Sequence, residues 1–457
     1  MKVFVIGLDC AEPSLVFERW REHLPKLWGL MDGGTYGRLT SSIPAITVPA
    51  WASMMSGRDP GQLGFYGFRN RADHTYENMT IANGRSVRAD RVWNTLSQAG
   101  REVITIGVPQ TYPVTPVNGC MISCFLTPSA HSEFTYPASL KQEIAGLVGE
   151  YLFDVAQFRT ENKDHLLAQI YDLSNQQHRV ARHLMTTRRW DFFMHVDMGV
   201  DRMHHGFWRF FDERHPKHEA DNRFRNAIRD YYVHIDRLIG ERLELLDDDT
   251  AVLVVSDHGA KPMLGGIAFN EWLKQEGYLT LEYQPDGIVP LEKCEINWDK
   301  TLAWGSGGYY ARLFLNVRGR EPNGIIDPAD YERVRDELVE KIAAITDPEG
   351  RRISSVAYKP EEIYREVNNI APDLIVYFGD LNWRSVGSLG LNAVHTFKND
   401  TGPDDANHAQ EGLYIYYHPK AKGQGRGPGR HLMDVAPTIL DLMGVPVPPG
   451  MQGRSFA

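Results

Sequence analysis

Cysteine is scarce in this chain of 457 residues: Cys10, Cys120, Cys124 and Cys294 are the whole complement, and no two form a CxxC pair. That density supports neither a disulfide framework nor a cysteine-built zinc site, and a reducing, cytoplasmic setting is the expectation. Long apolar runs are missing too, since none approaches the ~20 residues a membrane-crossing helix requires. The opening run VFVIGL (3–8) is short, ends at Asp9 and lacks a small-residue cleavage site, so it reads as a first strand and not a signal peptide. Positive charge is in deficit. Lys and Arg number 49 against 59 Asp and Glu, a net charge of −10, which argues against a protein whose main task is gripping nucleic acid except as a substrate. No internal repeat or low-complexity tract interrupts the chain.

A hydrophobic content of 42% with 24% charged residues describes a globular protein able to bury a large core. Short apolar runs recur: VFVIGLD (3–9), FFMHVD (192–197), TAVLVVSDHG (250–259) and PDLIVYFGD (372–380) read as buried parallel strands. Between them, Phe224, Ile228, Tyr231, Ile235 and Leu238 keep helical spacing. So does 327–345, where Asp327 stands as N-cap and Pro328 at the first helical position. Strands alternating with helices predict an α/β fold: a doubly wound, mostly parallel sheet flanked by helices. Residues 260–355, with the glycine-rich GSGGYYARLFLNVRGREPNG (305–324), read as an inserted cap segment within one domain spanning 1–457. The basic, Gly-rich 418–432 reads as a solvated loop, and 434–450 as a capped helix stopped by Gly444 and prolines.

Ligands in such sheets bind beyond the carboxyl ends of strands, and acidic residues gather there. Asp9 follows the first run. Asp201 and His205 follow FFMHV at i and i+4, on one side of a helix, while His204 points about 100° away. Asp257 and His258 end TAVLVV, and His408 precedes another apolar run. Each fragment alone is commonplace, and a lone Asp-His-Gly after a strand is usually structural. Together they form a mixed oxygen and nitrogen set suited to divalent zinc, with manganese or iron as alternatives. One further stretch, SIPAITVPAWASMMSG (42–57), fences Thr47 between Pro44 and Pro49 at an apparent helix start.

The order Asp9, Thr47, Asp201/His205, Asp257-His258, His408 resembles the alkaline phosphatase superfamily, closest to its type I phosphodiesterase/nucleotide pyrophosphatase branch. The closing DVAPTILDLMGVPVPPGMQGRS (434–455) is similar to that superfamily's C-terminal signature. The resemblance implies a hydrolase of small-molecule phosphate esters with two divalent ions, Zn2+ by preference and Mn2+ as the alternative. Asp9, Thr47, Asp257 and His258 would hold one ion; Asp201, His205 and His408 would hold the other. Thr47 would be the nucleophile, passing through a covalent phospho-threonine. A threonine hydroxyl is a poor nucleophile at neutral pH, and coordination to a cation favours its alkoxide.

Two departures bear on substrate. Relatives often carry an Asn on the loop after the nucleophile helix; here GQLGFYGFRNRAD (61–73) offers Asn70 or Arg69, with Phe68 at the aligned place. ITVPAW has no Cys or Ser of a CxPxR-like motif, which excludes a sulfatase. Threonine, where phosphatases and mutases of the superfamily use serine, tilts the reading toward diesters. A phosphomonoesterase or phosphomutase on the same site is the alternative. A non-catalytic metal-binding protein of the same fold is the reading from another class. Trp51, Phe65, Tyr66 and Phe68 are aromatic enough to stack a base, but packing explains them more simply.

Overall fold

A computed structural model describes all of residues 1–457. Its centre is a ten-stranded mixed sheet. The strands used below are β1 (Lys2–Leu8), β2 (Thr35–Thr40), β3 (Val103–Ile106), β4 (Gly119–Ile122), β5 (Phe192–Asp197), β6 (Thr250–Val255) and β7 (Glu411–Tyr417). In space they run β2-β7-β6-β1-β5-β3-β4, with short strands closing either edge. The five strands β6-β1-β5-β3-β4 are parallel, and β7 runs antiparallel to both β6 and β2.

The apolar runs become strands buried on both sides because helices cover both faces. Alternate residues of β1 feed two cores. Phe4, Ile6 and Leu8 pack with Ile228, Ile235 and Ile239, while Val3 and Val5 pack with Trp51, Met54 and Ile439. The helices that matter are α1 (Thr47–Ser56), α2 (Gly199–Phe207), α3 (Ala227–Leu243), α4 (Tyr331–Ala343) and α5 (Val435–Leu442). Asp327 caps a 3-10 turn, Pro328–Asp330, that leads into α4, its carboxylate accepting from Ala329 N at 3.0 Å. After α5 the chain turns at Gly444, φ +64°.

Two sequence readings are corrected here. The run 372–380 is not part of the parallel sheet. Its strand, Leu374–Tyr377, lies antiparallel to Ala311–Leu315 and Val356–Tyr358 in a separate four-stranded sheet, covered by α4 through Val334, Leu338 and Ile342. A strand buried on both faces looks the same in sequence whichever sheet it joins. This second sheet draws on chain well past residue 355. In the tail, Gly425–Arg426 and Arg430–His431 pair with β2 instead of forming only a solvated loop. Backbone pairing at a sheet edge makes little demand on side chains.

Residues 263–405 leave and return at one place, because Gly259–Pro262 and Ala406–Ala409 form an antiparallel ribbon in which Ala260 faces His408. The excursion is also tied to the segment after α1. Tyr66 Oη donates to Asn368 O at 2.6 Å, and the buried Arg71 and Glu321 pair at 3.0 Å.

Candidate functional site

Strand register brings the acidic ends together. Leu8 is level with Asp197 on one side, and Gly7 with Val255 on the other, so the chain just past three adjacent parallel strands emerges on one edge. From β1 comes Asp9, from β6 come Asp257 and His258, and from α2, which starts two residues after β5, come Asp201 and His205. The ribbon adds His408, whose ring stacks on that of His258 with centroids 3.8 Å apart. Helix α1 points its N-terminus at the group, and Thr47 is its first residue. All ten residues of α1 are buried. Gly7 permits this packing: a Cβ there would lie 2.6 Å from the Trp51 ring. Trp51 in turn donates its Nε1–H to Asp9 Oδ2 at 2.7 Å, which fixes the carboxylate next to α1.

The donors form two clusters, Asp9 with Asp257 and His258, and Asp201 with His205, His408 and Cys10, with ligand atoms in each within 4.8 Å of one another. Thr47 Oγ1 joins the first, 3.4 Å from His258 Nε2. Each histidine gives Nδ1 to the protein: His205 to Asp404 Oδ1 at 2.7 Å, His408 to Ala45 O at 2.9 Å, His258 to Gly259 O at 3.2 Å. An Nδ1–H held by an acceptor leaves Nε2 with its lone pair turned inward. What those lone pairs meet are further acceptors. His205 Nε2 is 3.3 Å from His408 Nε2 and 3.2 Å from Asp201 Oδ1; His258 Nε2 is 3.2 Å from Asp257 Oδ2 and 3.9 Å from Asp9 Oδ1. Asp9 Oδ1, Asp201 Oδ1 and Asp257 Oδ2 are buried with no hydrogen-bond donor.

Acceptors facing acceptors in a buried site need positive charge between them. Donors about 2.0–2.1 Å from a zinc ion stand roughly 3.3 Å apart along a tetrahedron's edges, close to the spacings found here. The residues therefore fit divalent cations. The electrostatics agree. Burial pushes Asp9 well up from the ordinary carboxylate range, and Asp257 and Asp201 add to it; burial does the same to Asp257. Burial drives His258 down to about 4, so its ring is neutral and available as a ligand. Burial opposes a charge on His205 as well, but Asp404 and Asp201 outweigh it and raise His205 to about 9. With protein groups alone a second proton reconciles that corner, and a cation does so for the whole cluster. Against burial, His205 and Arg202 hold Asp201 well down; Arg202 Nη1 donates to its Oδ2 at 2.5 Å.

Every expected metal-binding residue, Asp9, Thr47, Asp201, His205, Asp257, His258 and His408, lies in this one place. Asn70 does not face it. Its Oδ1 accepts from Tyr66 N at 2.7 Å and its Nδ2 donates to Gly67 O at 2.9 Å, so the loop consumes both ends of the amide. Phe68 and Arg69 line the adjoining cavity instead. That cavity, about 920 Å³, runs from Thr47 and His408 past Phe68, Phe125 and Phe158 to the second sheet at Trp304. His204 points away, as expected, toward Tyr232 Oη at 3.3 Å. Sequence reasoning missed Asp404, Trp51's bond to Asp9, and Cys10. Asp404 carried one signal, an acidic pair four residues before His408.

Residues 3–404 match the family described as type I phosphodiesterase / nucleotide pyrophosphatase. The chain belongs to that family. A type I phosphodiesterase of this kind is a phosphoric ester hydrolase. No curated protein sequence matches the chain. Its fold is similar to that of human ectonucleotide pyrophosphatase / phosphodiesterase 5, with TM-score 0.56, 13% identity, and coverage of 100% of this chain and 98% of that one. The murine protein, as an inactive threonine-to-alanine variant in complex with AMP, gives TM-score 0.56 and 12% identity, over 98% of this chain and 96% of that one.

Proposed function

We propose that this protein hydrolyses phosphodiesters with two divalent cations, zinc by preference, and a covalent phospho-Thr47 intermediate. One observation carries the reading: three imidazole Nε2 atoms turned onto three buried carboxylate oxygens that have no donor. Asp9, Asp257, His258 and Thr47 would hold one cation, and Asp201, His205 and His408 the other. Bound there, the pair supplies a lowered hydroxyl pKa and positive charge for the oxygens of the transition state.

The protein's own groups do the rest. Thr47 Oγ1 attacks phosphorus, forming the Thr–O–P bond as the bond to the leaving alcohol breaks. Water then attacks the same phosphorus, restoring the threonine and releasing the phosphomonoester. The N–H groups of Thr47 and Val48 precede the first bond of α1, Ala50 N to Ile46 O at 3.0 Å, and find no acceptor, so they are free for phosphoryl oxygens. The aromatic wall of Phe68, Phe125 and Phe158 suits a second, apolar ester substituent, which favours a diester over a monoester. The murine neighbour, inactive with threonine changed to alanine and holding AMP, lends the analogy for both nucleophile and substrate class.

In the test, Thr47→Ala keeps its metal content but loses hydrolysis of bis-p-nitrophenyl phosphate by about 10³-fold or more. Wild-type turnover in that variant removes Thr47 as nucleophile. A faster wild-type rate on p-nitrophenyl phosphate than on the diester turns the reading to a monoesterase.

A further inference from the structure

The second cluster contains one donor that no expectation included. Cys10 Sγ lies within 4.8 Å of the ligand atoms of Asp201, His205 and His408. It is fully buried and directly follows Asp9, which belongs to the other cluster. Its backbone is left-handed, φ +64°, a conformation that Gly, Asn or Asp adopts more readily than Cys. A second, independent observation points to a ligand at the same spot: Asp201 Oδ1, nearly fully buried and without a hydrogen-bond donor, faces into this cluster. The thiol donates a weak hydrogen bond to Gly259 O at 3.3 Å and lies beside Asp201.

We propose that Cys10 Sγ is a protein donor to the second cation position, beside Asp201, His205 and His408, and that its sulfur biases that position toward zinc over manganese. This rests on the two-cation reading above. Coordination forms a metal–sulfur bond, breaks the S–H bond with its proton released to solvent, and gives up the contact to Gly259 O. Thiolate is a soft ligand that favours zinc, whereas an all-oxygen and imidazole set accepts manganese more readily. Zinc sites also expand from four donors to five, so a sulfur donor leaves a position for a substrate oxygen. The other cysteines lie outside both clusters, so a sulfur signal at this site belongs to Cys10.

The full-length protein, stripped of metal and titrated with Co2+, reports this without any turnover. Two cobalt ions per chain and a sulfur-to-cobalt charge-transfer band in the near ultraviolet are expected for wild type. In Cys10→Ser the band disappears while the visible cobalt bands persist, and zinc-over-manganese preference in competition falls about tenfold or more. Cys10→Gly, which suits the left-handed backbone, gives the same result if serine compromises folding. Two bound cobalt ions with no sulfur band in wild type, or a band unchanged in both variants, overturns Cys10 as a donor and leaves the two-cation reading intact. No cobalt binding at all overturns both.

Discussion

His205 Nδ1 donates to Asp404 at 2.7 Å, and Asp404 is itself held by Tyr309 Oη at 3.0 Å and Arg159 Nε at 3.2 Å. A carboxylate behind a ligating imidazole fixes the ring and raises its basicity. Asp404→Asn should weaken cation affinity about 10–100-fold, read by competition with a chelator. Unchanged affinity would mean that the ring is oriented by other contacts. This residue was hard to read because nearly two hundred positions separate it from its histidine, with no periodicity linking them. Asp201 and His205 were legible because one helix sets their relation. A second residue-scale effect concerns acid. Burial lowers His204 to about 3 and His215 to about 4, from an ordinary 6.5. A depressed folded-state pKa means the unfolded chain takes up protons first, so stability is fully present above 6.5 and is lost as pH falls toward 4 and then 3. Denaturant midpoints should drop across that window, and His204→Gln should flatten the drop.

Helix α1 is an element with no free face, and its fit depends on a missing side chain in β1. In Gly7→Ala the new Cβ would meet Trp51 at 2.6 Å and Val196 at 2.7 Å. The expected cost is about 1–3 kcal/mol of stability from overpacking, read in denaturant melts. Because Asp9 and Thr47 shift with β1 and α1, diester hydrolysis should fall further than stability alone accounts for. Unaltered kinetics in a destabilised variant would show that the two elements move without disturbing the site. At this scale much was legible. Runs with Asp at their ends gave three of the parallel strands, since sheet burial and a polar carboxyl end leave a pattern in sequence. The run 372–380 shows the limit, because apolarity encodes burial and carries no information about which sheet supplies it.

For the whole molecule, the second sheet is anchored to the region after α1 by Arg71 and Glu321, whose side chains are 3% and 0% exposed. Arg71→Met leaves a buried carboxylate short of a partner, although Arg320 also contacts it at 2.9 Å. Loss of roughly 3 kcal/mol is expected by thermal melting. A wild-type melting temperature would show that Arg320 and the Val317 N–H, which donates to Glu321 Oε2 at 3.0 Å, satisfy Glu321 without Arg71. The excursion of residues 263–405 was legible only in part, because its chain passes through two small sheets with no composition of their own.

The ribbon at its base has a consequence for engineering and for descent. Pro262 and Ala406 face each other across it, so the long detour begins and ends at a single doorway in the fold. Closing a chain across such a doorway costs little that depends on how much chain lies beyond, since loop-closure entropy grows only with the logarithm of length. The floor that carries the two donor clusters and the roof over the adjoining cavity can therefore change at different rates: the roof is free to lengthen, shorten or be exchanged as a cassette, while the floor keeps its donors.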